Sequence, residues 1–210
     1  MCCEREFKMK TDVYKFEKSV DGIGDISEIV TRAAAYGGLG KKEELRLTLL
    51  SEELVGMLPN LLMCGKGEFW IENKGKRYEV HAVVESEDLL SGKDREEILS
   101  VSASGKNAAA VGIMNKIRIA AEMMYANYTL RGESGAVESN DSFEFYDMGM
   151  EKEGTDFEGT WSLASYRTRA SGDPAAWDEL EKSIIANMAD DVIVGIIGGK
   201  VSVTVVKNFG

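Results

Sequence analysis

"VIVGIIGGKVSVTVVKNF", residues 192–209, consists of two β-branched runs around Gly198 and Gly199. A Gly-Gly pair between such runs marks a two-residue turn, so the chain is predicted to close on a β-hairpin. Strands joined that tightly are antiparallel, and the rest of the sequence must supply whatever covers them. "GEFWIEN" (67–73) and "KRYEVHAVVE" (76–85), joined through Lys74 and Gly75, predict a second hairpin. "REFKMK" (5–10) alternates polar and apolar residues like a short strand, and "TWSLASYRT" (160–168) reads as another.

Between the strands lie helical signals. "ISEIVTRAAAY" (26–36) predicts a helix stopped by "GGLG" at 37–40. "KKEELRLTLLSEELVGMLPNLL" (41–62) places Leu47, Leu50, Leu54, Leu58 and Leu61 on one stripe. Leu45, Leu49 and Val55 lie off that stripe, which predicts burial on more than one side, and Pro59 should kink the helix or end it early. "SVSASGKNAAAVGIMNKIRIAAEMM" (100–124) is a Ser/Gly turn feeding a helix predicted from about Asn107 to Tyr128. Residues 131–160, rich in Gly, Glu, Ser and Asp, read as an irregular insertion with one short strand. "DPAAWDELEKSIIANMADD" opens a last helix, with Asp173 as cap and Pro174 at the first helical position. Helices and hairpins are segregated, which predicts an α+β fold: a two-layer sandwich of helices on one face of a mixed, largely antiparallel sheet, in a single domain over 1–210.

With 210 residues and 44% hydrophobic content, the chain is long enough to bury a substantial core. Its net charge of −11 argues against nucleic acid or an anionic membrane as a partner, since both require clustered Lys and Arg. Cys2, Cys3 and Cys64 make neither a zinc site nor a complete disulfide framework, which fits a reduced, cytoplasmic setting. No run approaches the roughly 20 apolar residues of a membrane span, and "MCCEREFKMKTD" has no apolar leader.

Three places carry candidate chemistry. "SASGKN" is not a P-loop, because Ser100 stands where the first glycine belongs and Asn107 where Ser or Thr would hold Mg²⁺. Ser102, Ser104, Gly105, Lys106 and Asn107 can still turn N–H groups and an ammonium toward an anion, or be an ordinary helix cap; Ala108, Ala109, Ala110 and Gly112 then permit a close approach. Glu52 and Glu53 sit in an otherwise apolar helix, so one of them either faces a cavity and orients water or a metal, or both lie on the solvent edge. Asn60 falls on nearly the same stripe as Glu53, two turns on. His81 is the single histidine, which excludes a multi-histidine metal centre and reads as core or surface; Trp70, Trp161, Trp177, Tyr166 and the methionines read mostly as core.

The Glu-bearing helix "LTLLSEELVGMLPNL", the hairpin after it, the turn leading into "GIMNKIRIAAEMM" and the closing "MADDVIVGIIGGKVSVTVV" together resemble the GHKL ATPase superfamily, in its histidine-kinase-like and anti-sigma-factor branch. The resemblance implies a regulatory ATP-binding protein with Mg²⁺ as co-ligand. Glu53 or Glu52 would stand for the family's catalytic glutamate, with Gly56 or Met57 where its asparagine is expected. Asp88 would be the nearest counterpart of the adenine-reading aspartate, without the glycines that normally follow it. Ser104, Gly105, Lys106, Asn107 and Gly112 would bind the triphosphate, and Asn60 remains a metal-ligand candidate. Whether ATP is turned over slowly or only bound is open, as is a homodimer. The competing expectation is a non-catalytic module that keeps the fold and binds a regulatory protein partner, for which the missing glycines argue.

Overall fold

The computed structural model describes residues 8–17, 19–60, 64–86, 113–134, 150–151, 160–172, 174–181 and 183–210. Its centre is an eight-stranded sheet made of β1 (Lys8–Lys10), β2 (Tyr14–Glu17), β3 (Cys64–Lys74), β4 (Arg77–Ser86), β5 (Met150–Glu151), β6 (Thr160–Ser162), β7 (Asp191–Ile197) and β8 (Lys200–Asn208). The order is β1-β3-β4-β8-β7-β6-β5, with β2 also on the outer edge of β3, and every described pairing is antiparallel. The fold is α+β as predicted, with no parallel pair among the described residues.

Both hairpins form where the glycines predict them. Gly198 and Gly199 take φ of 57° and 76°, and Gly75 takes 59°, the left-handed region in which a side chain is strained. A missed strand, β2, lies along β3 because Gly67 leaves room for Phe16: a Cβ on Gly67 would stand 2.5 Å from the Phe16 ring.

The register sorts the strands into two faces. Phe69, Ile71, Tyr78, Val80, Ala82, Val84, Val192, Val194, Val201, Val203 and Val205 share one face and are buried. The helices cover it: α1 (Ile26–Tyr36), α2 (Lys41–Met57), α3 (Ile113–Ser134), α4 (Leu163–Ala170), α5 (Pro174–Glu181) and α6 (Ile184–Met188). Asp25 caps α1 by accepting from the Glu28 N–H, and the Gly40 N–H donates to Glu43 at the start of α2. The α2 helix ends at Met57 and passes into a 3₁₀ turn, Leu58–Asn60, as Pro59 requires. Leu47, Leu50, Leu54 and Leu58 are fully buried, but Leu45 is 60% exposed, so α2 has one broad buried face rather than several.

Three boundaries differ from the sequence reading. "TWSLASYRT" is strand only to Ser162 and then becomes α4, because Asp191 accepts from the Ala164 N–H and Ser162 Oγ accepts from the Ser165 N–H, an N-cap built partly from another strand. The last helix is broken into α5 and α6 at Ser183, whose hydroxyl accepts from the Ala186 N–H and starts a new helix. The α3 helix runs on to Ser134, into the segment expected to be irregular, and Met150–Glu151 supplies the short strand expected there. Trp161 is core, as expected, whereas Trp177 is 45% exposed.

Candidate functional site

One end of the sheet gathers the last turns of α2, the end of β4 and the β7–β8 turn. Cys64 at the start of β3 pairs with Ser86 at the end of β4, and Val84 pairs with Val201 beside the β7–β8 turn. The α2 helix points toward that end. Its first turn is at the other end, where Glu43 lies near Tyr78, while the 3₁₀ turn after it packs against β3. Glu53, in the last turns of α2, is half-buried at the margin of the helix layer, and Glu52 is exposed. Met57, one helical turn after Glu53, is a buried apolar side chain.

Tyr125 and Tyr128 of α3 reach the same end, which the sequence reading missed because it follows from how α3 lies on the sheet. The Tyr128 ring lies against Gly199, where a Cβ would stand 3.2 Å from it. Burial pushes the Tyr125 hydroxyl above its ordinary range, helped by Glu85 and Tyr128. Glu85 pairs with Lys200 at 3.2 Å and with Lys66 at 3.7 Å, and the hydrogen bond from Lys200 holds its carboxyl below the usual range. Near the start of α3, Lys116 sits over the Tyr166 ring of α4, so α3 runs from the α4 side toward the β7–β8 turn.

That direction matters for the predicted phosphate turn. Ser104, Gly105, Lys106, Asn107, Gly112 and Asp88 lie outside the described residues, and so does the Asn60 side chain. The start of α3 is about 22 Å of helix from Tyr128. The described start of α3 is therefore at the end of the sheet away from Glu53.

The outward face of the sheet carries a second polar cluster. The His81 ring stacks on the Trp70 indole with centroids 4.8 Å apart and planes at 14°. Lys10 Nζ lies 4.4 Å from the Trp70 ring and 3.1 Å from Glu72, which also accepts from Trp70 Nε1 at 2.9 Å. Burial raises the Glu72 carboxyl, but the bonds from Lys10 and Trp70 outweigh it and hold the group below its usual range. Thr204 Oγ1 is 3.0 Å from His81 Nδ1. His81 Nε2 is buried and 3.4 Å from Glu79 Oε2, without the geometry of a hydrogen bond.

At the opposite end, the charged groups are structural. Arg167 donates to the carbonyls of Ala186, Ala189 and Asp190, closing the C-terminus of α6. Burial lowers the Arg167 pKa, against the pull of Asp191 and Asp190. Asp190 accepts from Lys207 and from the Asn208 backbone and side chain, bonds that outweigh its burial and lower its pKa. On α3, burial raises the Glu122 carboxyl despite its partner Arg118.

Among the described residues no group of His, Cys, Asp or Glu is arranged to hold a metal ion, and no helix is long and apolar enough to cross a membrane. No family model matches the chain, and neither do any curated protein or solved structure.

Proposed function

We propose that the chain is a cytoplasmic ATP-binding protein of the GHKL kind, with the ligand held at the end of the sheet where β4 finishes. The observation that supports this reading is convergence: α2 carries Glu53 to that end, β4 stops there at Ser86 just before Asp88, and the Gly198-Gly199 turn and Tyr128 stand beside it. In this reading Lys106, Ser104, Gly105, Asn107 and Gly112 bind phosphate, Asp88 reads the base, and Glu53 orients water or Mg²⁺, with Glu52 farther out on the exposed side of α2. Magnesium bound with a nucleotide takes one or two carboxylates plus phosphate oxygens and water, and Glu53 supplies one such donor; Asn60 is the second candidate. Buried Met57 occupies the position one turn on from Glu53, so binding rather than turnover is the activity proposed. The same residue favours the competing reading, a regulatory protein-binding module without nucleotide.

Thermal unfolding with Mg-ATP, Mg-ADP and Mg-GTP separates the two. A ligand at 100 times its Kd stabilises the fold by roughly 2.7 kcal/mol, a shift of several degrees. The reading predicts that shift with adenine nucleotides and its loss in Lys106→Ala. No shift at millimolar nucleotide overturns it.

A further inference from the structure

Trp177 on α5 is 45% exposed and Ile184, at the start of α6, is 46% exposed. Single exposed apolar side chains need no explanation. This pair differs because the fold holds it in place. The Trp177 Nε1–H donates to Glu181 Oε1 at 3.0 Å, one helical turn on, which fixes the indole. The Asn187 amide donates to the carbonyls of Leu180, Glu181 and Ser183, which folds α6 against the end of α5, and Leu180, Ile185 and Ala186 are buried. The corner is thus presented ready-formed, which lowers the ordering cost of binding.

The sheet shows what such a pair accepts. The Trp70 Nε1–H donates to Glu72 at 2.9 Å, and Lys10 Nζ completes the group, 4.4 Å from the ring centroid and 3.1 Å from the same carboxylate. Trp177 and Glu181 repeat the indole–carboxylate pair in the open, and among the described residues no lysine or arginine stands over that ring or beside that carboxylate. Asp178, exposed on the same helix, adds negative charge. An indole face and a carboxylate at its edge both attract a cation, so the patch is complementary to one.

We propose that the α5–α6 corner docks a basic segment of a partner protein, whose arginine stacks on the Trp177 indole and pairs with Glu181 while an adjoining aliphatic side chain covers Ile184. Arginine fits better than lysine, because a planar guanidinium lies flat on a ring and still directs N–H groups to a carboxylate at its edge. A second copy fits poorly, since a twofold contact would set Asp178 and Glu181 against the same groups of the other chain. The net charge of −11 turns away anionic membranes and nucleic acid. The corner leads into β7 at the end of the sheet opposite the Gly198-Gly199 turn, so the proposal does not depend on nucleotide binding.

The probe is the acetylated, amidated peptide Gly-Ser-Leu-Arg-Leu-Arg-Ser-Gly, with versions carrying lysine or uncharged citrulline for arginine, titrated at about 0.15 M salt. The expected result is a shift of the Trp177 indole N–H in NMR, identified by its disappearance in Trp177→Phe, with affinity falling from arginine to lysine to citrulline. Trp177→Ala should weaken binding about tenfold or more, as truncation of an aromatic anchor does. Glu181→Gln keeps an acceptor for the indole N–H but removes the charge, and should weaken binding by about threefold to tenfold. Glu17→Gln makes the same charge change at an exposed position on β2 and should leave affinity within about twofold. All three side chains are exposed, so unfolding temperatures near the parent's separate lost binding from lost structure. No indole shift at about millimolar peptide, citrulline binding as tightly as arginine, or equal losses from Glu181→Gln and Glu17→Gln would overturn the proposal. A Trp177 signal that moves with protein concentration alone would give the face to a second copy and overturn it as well.

Discussion

The β3–β4 hairpin turns Lys66, Glu68, Trp70, Glu72, Glu79, His81 and Glu85 outward, whereas the β7–β8 hairpin turns Ile193, Gly195, Ser202, Thr204 and Val206 outward. Inward, the second presents an apolar row, and the first an apolar row that ends at the buried, hydrogen-bonded Asn73. Outward, the first is laced by cross-strand ion pairs, with Glu85 40% exposed, whereas the second is covered at Val206 (2%) and Ser202 (8%), half-buried at Ile193 and Thr204, and open at Ile197 beside the turn. Two hairpins of the same sheet thus meet different surroundings on one face, and the alternation of charge in β3 and β4 against the near-continuous β-branched run of β7 and β8 records that difference in the sequence.

The largest effects should come from the inward face, where the hairpins are alike. Ile71→Ala on β3 and Ile196→Ala on β7 should each cost about 2–5 kcal/mol in urea unfolding, and a much smaller loss at either position would show that its face is not core. The outward face should separate them. Val206→Lys places a charge at a covered position and should cost roughly 2 kcal/mol or more, whereas Val83→Lys, on the half-open part of β4, should cost clearly less. Equal costs would erase the contrast. Smallest of all is Lys15→Ala, which removes an exposed pair to Glu68 at 3.5 Å and should change stability by less than about 0.5 kcal/mol.

How much of this was legible depended on how local each cause is. Asp25, Gly37 and the Gly198-Gly199 pair act on their immediate neighbours, and the elements they bound were readable. The switch from β6 to α4 was not, because the carboxylate that helps cap α4 belongs to Asp191, brought in by sheet pairing. The β2 strand was missed because it depends on Phe16 finding the open backbone of Gly67. For the candidate site, the helix and its glutamates were readable, but whether Glu52 or Glu53 edges into the layer follows from how α2 lies on the sheet. The exposure of Leu45 follows from the same placement. The His81 row needed the register of four strands, since alternation alone left the ring free to point either way.

The central claim is that ligand binds at the end of the sheet where β4 finishes, and amide hydrogen exchange with and without Mg-ATP tests it most directly. The account predicts added protection over Glu53–Asn60, at the end of β4 from Val83 to Ser86, and at Gly198–Lys200, with the far end around Arg77 and Asn208 unchanged. Protection confined to the far end, or none at saturating nucleotide, would contradict it.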